Sequence, residues 1–130
     1  MIRRRPTRFS RFGNLNKKKS QKPTVDGYVF DSSWELRRYE GTLRLRLLAG
    51  EIRDLEVHPS WPIVINGQRC GRITADFKYY DIVAEKWCVE DAKAWATNRR
   101  TGKREPIVES GYAFRRNVLF ALHGLWVETV

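Results

Sequence analysis

Cysteine is scarce: Cys70 and Cys88 are the two in 130 residues. They are too few for a metal cluster of their own or for the dense disulfide framework of a small secreted scaffold. A reducing cytosol is the compartment this usage predicts. No apolar stretch approaches the ~20 residues that a membrane helix requires. The opening Met-Ile-Arg-Arg-Arg-Pro leads into no apolar signal core, so neither a membrane nor export is expected. Internal repeats are absent too. The one biased segment is N-terminal, where Gly13, Asn14, Asn16, Ser20 and Pro23 interrupt any helical period.

Negative charge is missing where it matters most. Residues 1–25 carry nine basic side chains (Arg3, Arg4, Arg5, Arg8, Arg11, Lys17, Lys18, Lys19 and Lys22) and no acidic one, while the rest of the chain holds 16 basic and 15 acidic residues. The net charge of +10 therefore belongs mainly to a tail on a nearly neutral body. Such a tail suits a nucleic-acid backbone, because each phosphate it neutralises releases condensed counterion; a merely solubilising tail is the bland alternative. With 42% apolar residues, the chain has enough hydrophobic surface for one core and too little length for two. The expected organisation is a flexible basic arm over 1–24 and a single domain over 25–130.

What is present reads as an α/β pattern. Val25 to Phe30 suits a short strand or hairpin arm. Ser32 and Glu35 have capping-box spacing, and Leu36, Tyr39, Leu43 and Leu47 follow on one helical face, so a helix is predicted over 33–49 with Gly50 as its stop. On a helical wheel Glu35 falls beside Tyr39 at the border of that stripe. From Glu51 to Ile65 the chain is apolar but contains Pro59 and Pro62, which suggests bent or edge strands. Asn66-Gly67 is a hairpin turn signal. Ile73, Ala75, Phe77 and Tyr79 then alternate with Arg72, Thr74, Asp76, Lys78 and Tyr80, and a further strand runs over 86–92. A charged loop over 98–104, a helix over 113–123 and a strand over 125–130 complete the order helix, three strands, helix, strand.

Asp76 and Asp91-Ala92-Lys93 are the residues that point to chemistry. Asp91 and Lys93, two apart on a strand, share a face. A hairpin turning around Val83-Ala84 pairs residues whose numbers sum to 167, which sets Asp76 opposite Asp91. Like charges in that position destabilise by roughly 0.2–1 kcal/mol, so a compensating cation is needed. Mg²⁺ is the natural one: it wants hard oxygen ligands and commonly takes one or two carboxylates, leaving waters and substrate phosphate for the rest. Lys93 beside it could orient or deprotonate a water or stabilise charge on phosphorus.

Glu35 on a first helix, Asp76 on a strand and Asp91-Ala92-Lys93 on the next resemble the PD-(D/E)XK nuclease superfamily, whose restriction-endonuclease-like core is an αβββαβ unit with a mixed, mostly antiparallel sheet flanked by helices. More narrowly, Asp31-Ser32-Ser33-Trp34-Glu35, Ala75-Asp76-Phe77, Val89-Glu90-Asp91-Ala92-Lys93 and the stretch 112–130 are similar to small, mostly phage-borne proteins near the Holliday-junction resolvases. The resemblance spans about residues 24–130. Two departures stand out: Ala75 replaces the proline of the name, and Glu90 rivals Asp91 for the second acidic position, although only Asp91 shares a face with Lys93.

The resemblance implies metal-dependent hydrolysis of DNA phosphodiesters with Mg²⁺, for which Mn²⁺ can substitute. Asp76 and Asp91 would be metal ligands, the Ala92 carbonyl a third, and Glu35 a direct or water-mediated one, with Lys93 handling the water. Branched DNA or a Holliday junction in phage replication or recombination is the expected substrate, in the bacterial host cytoplasm. Resolving a four-way junction takes two cuts and the chain offers one site, so a homodimer is expected. The alternatives are a restriction-like or nicking endonuclease on duplex DNA and a catalytically inactive nucleic-acid-binding protein.

Each of these residues also has a plainer explanation. A capping-box glutamate needs no metal, and the aspartates and Lys93 could be solvated strand charges. His58 could be a general base or ligand near the mouth of the site, although before Pro59 it reads more readily as structural, and His123 reads as a helix-end cation. The five tryptophans suit core and rim packing, with Trp95 placed to stack on a base. Arg99, Arg100, Lys103, Arg104, Arg115 and Arg116 follow the acidic cluster and, read with the tail, form an expected phosphate-tracking surface.

Overall fold

The computed structural model describes residues 21–130; the expected arm residues Arg3, Arg4, Arg5, Arg8, Arg11, Lys17, Lys18 and Lys19 lie outside the described residues. Strands β1 (Thr24–Val25) and β2 (Tyr28–Val29) form a small hairpin that leads to the first helical run. Ser32 caps that run, its Oγ accepting from the Glu35 amide at 3.2 Å.

The run comprises α1 (Ser33–Arg38), a π-helical segment (Tyr39–Leu43) and α2 (Arg44–Leu48). A π turn takes one extra residue, so the apolar stripe loses phase across it. Tyr39 and Leu43 are buried, but Leu47, expected on the same face, is exposed together with Leu45 and Leu48.

Next come β3 (Ile52–Val57), β4 (Ser60–Ile65), β5 (Gln68–Thr74), β6 (Phe77–Asp81) and β7 (Lys86–Asp91). A short hairpin of β8 (Trp95–Thr97) and β9 (Arg104–Pro106) brackets the charged loop, and α3 (Tyr112–His123) and β10 (Val127–Thr129) end the chain. Gly124, at φ 67°, supplies the left-handed stop of α3. The fold is mixed α/β with mostly antiparallel sheets. Its largest sheet has the order β10-β7-β6-β3, in which β10 runs parallel to β7 and the other neighbours are antiparallel. No helix among the described residues is long and apolar enough to cross a membrane.

The β4–β5 hairpin turns on Asn66-Gly67, both at positive φ (50° and 75°), the combination that matches strand twist. It joins the sheet through a kink. His58, at φ 56°, donates its amide to the Asp76 carbonyl at 2.9 Å, and the Ala75 amide donates to the Pro59 carbonyl at 3.0 Å.

That kink overturns one expectation. Ile73, Ala75, Phe77 and Tyr79 do not share a face, because the strand is interrupted at Ala75-Asp76. Ile73 and Ala75 pack with Val89, Leu119 and Val127 on the α3 side, whereas Phe77 and Tyr79 pack with Phe30, Tyr39, Leu43 and Ile52 on the α1 side. The sheet is thus sandwiched between two apolar clusters, in which each fully buried side chain contributes about 1.5–3 kcal/mol. The tryptophans bring a second correction: Trp34, Trp87, Trp95 and Trp126 are exposed, and only Trp61 among them, half-buried, packs against a core cluster, the one on the α3 side.

Candidate functional site

The register of β6 against β7 pairs Phe77 with Glu90 and runs to Asp81 with Lys86, so partners sum to 167. Continued one step, it brings Asp76 and Asp91 face to face at the kink. Each carboxylate there accepts a backbone amide from across the strand pair: Asp76 N–H donates to Asp91 Oδ1 at 3.0 Å, and Ala92 N–H donates to Asp76 Oδ2 at 2.8 Å. This double clasp fixes both side chains while leaving one oxygen of each uncommitted to it. Ala92 is itself buried.

Electrostatically the pair is strained. Burial, then the charge of Asp91, then that of Glu35 push the Asp76 carboxyl from its ordinary 3.8 up to about 7. Asp91 is also pushed up, chiefly by burial and further by Glu35, against the opposing pull of Lys93 and the Asp76 amide. Buried Asp91 and half-buried Asp76, both with elevated values, and a third carboxylate acting on both make a locus of excess negative potential. The donor set fits a hard divalent cation: two rigid carboxylates with oxygens to spare beside an open cleft.

That cleft, about 180 Å³, is lined by Asp76, Asp91 and Lys93 together with Glu109, Tyr112, Arg115 and Arg116. Lys93 Nζ lies 5.4 Å from the Tyr112 ring centroid, and its backbone amide donates to the Val130 carbonyl, fastening the strand end to β10. The Arg116 guanidinium stacks on Trp126 at 4.3 Å and Tyr112 at 5.5 Å, while its buried Nε finds no acceptor among the described residues. Arg115 reaches Glu109 at 3.4 Å. Of the six cations expected to form one surface, these two line the cleft. Arg99, Arg100, Lys103 and Arg104 sit instead on the β8–β9 turn and on β9, away from its walls.

Glu35 is buried at 5% exposure and makes only half of a capping box. Its amide donates to Ser32, but its carboxylate accepts from the Asp31 amide at 3.1 Å and faces His58 Nε2 at 2.9 Å. Asp31, Glu35 and His58 offer ligand atoms all within 4.8 Å of one another, so this trio too could hold an ion. His58 is the residue that sequence reasoning underrated. It has no local motif; it arrives by the left-handed turn between β3 and β4, across 23 residues of chain.

Glu90 lies on the other face of β7. Arg38 clasps it through Nε at 3.0 Å and Nη2 at 2.5 Å, and the Tyr79 hydroxyl donates to it at 3.1 Å. Its oxygens are committed to the α1 side.

The fold and the cleft define a mixed α/β protein with paired carboxylates and cations lining one cleft. A family model described as a protein of unknown function, DUF1064, matches residues 15–118, and the chain belongs to that family. No curated protein and no solved structure matches it.

Proposed function

We propose that the protein is a metal-dependent endodeoxyribonuclease of the PD-(D/E)XK type, acting on branched DNA as a homodimer. The observation that carries the reading is the reciprocal clasp of Asp76 and Asp91 with Lys93 on the same cleft wall. The order of the α1–α2 run, β3, β6, β7, α3 and β10, with β10 parallel to β7, supports the αβββαβ core.

Asp76 and Asp91 would hold Mg²⁺ or Mn²⁺, with the Ala92 carbonyl and Glu35 completing the protein's share. When bound, the ion supplies Lewis acidity and a nucleophilic water at neutral pH. The chain's own residues do the rest. Lys93 presents a positive charge at the cleft wall, where it can orient the attacking water or offset charge growing on the phosphate oxygens. Arg115 and Arg116 border the same space and can neutralise the phosphates flanking the cut. The clasped amides keep the two carboxylates from rotating away from each other, so little reorganisation is needed when the ion binds.

Incubation of the protein with supercoiled plasmid and with a synthetic four-way junction tests this. Cutting is expected in Mg²⁺ and none in EDTA, and Asp91→Asn is expected to bind the junction without cutting it. Metal-independent cutting, or full activity in Asp91→Asn, would overturn the assignment; binding without cutting under every condition would leave an inactive DNA-binding protein.

A further inference from the structure

Beside the acidic cleft lies a second hollow, of about 250 Å³, lined by Trp34, Arg37, Arg38, Ala92, Lys93, Trp95 and Val130. It is built from both turns of α1, the link between β7 and β8, the start of β8 and the residue after β10, and it shares Ala92 and Lys93 with the candidate metal centre. Two indoles supply much of its wall, and both are open to solvent, Trp34 at 42% and Trp95 at 36%. Exposing two large aromatics costs solvation free energy that packing elsewhere could have recovered, so their placement needs a reason.

The charges around it are selective. Arg38 is spent on Glu90, but the Arg37 guanidinium lies over the Trp34 ring, 5.1 Å from its centroid, and Lys93 closes the side facing the acids. Aromatic faces framed by cations, with an alanine and a valine between them, can stack a planar ring and neutralise the phosphate attached to it. The hollow falls below the ~300–1,000 Å³ typical of drug-sized ligands, which suits a single ring system. No carboxylate lines it, and its mostly apolar wall offers little to tell one base from another.

We propose that this hollow receives one unstacked nucleobase of the DNA strand being cut. The inference deepens the nuclease reading and rests on it for the choice of DNA. An extruded base seated between Trp34 and Trp95 would bring its own phosphate toward Lys93 and the Asp76–Asp91 pair. Substrates whose bases are already unpaired, such as bulges, single strands and junction centres, avoid the cost of unstacking and are preferred on that account. Stacking tolerates every base, so the preference is for structure and not sequence.

The test uses the whole chain in EDTA, so that binding is read without cleavage. Three duplexes are compared: one with a bulged 2-aminopurine, one with that base paired, and one with an abasic site at the bulge. The bulged duplex is expected to bind about tenfold to a hundredfold more tightly than the abasic one, with its fluorescence quenched on binding. Trp34→Ala and Trp95→Ala should each erase most of that margin. Trp34→Phe and Trp95→Phe should restore it, and Trp87→Phe, near the far end of β7, should leave it alone. Equal affinity for bulged and abasic duplexes, or a margin that survives Trp34→Ala/Trp95→Ala in a folded protein, overturns the proposal. The same duplexes in Mg²⁺ separate the two readings. Discrimination without any cutting defeats the nuclease and spares the pocket, whereas cutting without discrimination defeats the pocket alone.

Discussion

Glu90 and Asp91 are neighbours on β7, both buried, and they face opposite sides of the sheet into opposite company. Glu90 meets a forked guanidinium and a phenol, so its charge is matched and its oxygens are filled. Asp91 meets another aspartate, a backbone amide and, further off, Lys93, and its carboxyl is pushed upward as a result. A buried carboxylate that a fold uses for support is given a partner within the chain. One left beside a like charge, next to an open cleft, has no such partner among the described residues and has room for one from outside.

Substitutions on the two faces should fail in different ways. Glu90→Ala removes the only carboxylate on Arg38 among the described residues, and that arginine's side chain is three-quarters buried. It should cost about 3–5 kcal/mol of stability, since breaking a buried pair strands the remaining charge. Thermal or urea unfolding measures this; a melting point close to wild type would erase the contrast between the faces.

Asp76→Asn should do the reverse. A carboxyl whose folded-state value stands above its unfolded 3.8 stabilises the fold at low pH, and that contribution disappears as pH rises through about 7. The metal-free protein should therefore melt lower at pH 8 than at pH 5 on account of this group. Asparagine keeps an acceptor for the Ala92 amide but carries no charge, so the variant should gain on the order of 2–4 kcal/mol at pH 8 and roughly a third of that at pH 5. Melts in EDTA at both pH values decide it, and an unaltered pH dependence in the variant would refute the strained pair. Mg²⁺ added to wild type at pH 8 should raise the melting point in the same direction.

Asp91→Asn sharpens the comparison through activity. Losing a group that merely orients a metal ligand costs about 10–100-fold, so a ligand itself should cost more than ~100-fold in junction cleavage, with folding intact. A loss of less than tenfold would demote Asp91 to a supporting residue and reopen the case for Glu90.

Much of this is legible in the sequence. Alternation over residues 77–80 and 86–92, with a turn placed around Val83-Ala84, yields the observed register because a two-residue period leaves few ways to align two strands. The cap at Ser32, the Asn66-Gly67 turn and the Gly124 stop are local chemistry and read directly. The kink at Ala75-Asp76 is not legible: face assignment by parity assumes an unbroken strand, and the bonds at the break go to His58 and Pro59, in the link between β3 and β4. Nor is the π turn, since Tyr39, Leu43 and Leu47 have spacings that an ordinary helix satisfies equally well. The β8–β9 hairpin hid behind a charged loop because three-residue strands carry too little pattern to see. The aromatic hollow escaped for a related reason. Tryptophan composition argues for a core, and only tertiary placement reveals which rings are left outside it.

His58 carries the smallest of the expected effects and the one that most depends on tertiary structure. It sits at φ 56° in the link between β3 and β4, so alanine there would disturb the backbone as well as remove the imidazole. Asparagine tolerates the left-handed conformation, yet its amide ends short of the Nε2 position that meets Glu35 at 2.9 Å. His58→Asn therefore isolates the side-chain contact. If Glu35 serves the metal centre and His58 holds it there, the variant should lose about tenfold in cleavage, mostly as a raised Mg²⁺ requirement, with its melting point within a few degrees of wild type. His58→Gln, which is longer and still a donor, should recover part of that loss. A His58→Asn protein with the wild-type Mg²⁺ requirement would mean that Glu35 is held by Asp31 alone or serves only the helix cap. In that case the functional side of the molecule would shrink to the face of β7 that carries Asp91.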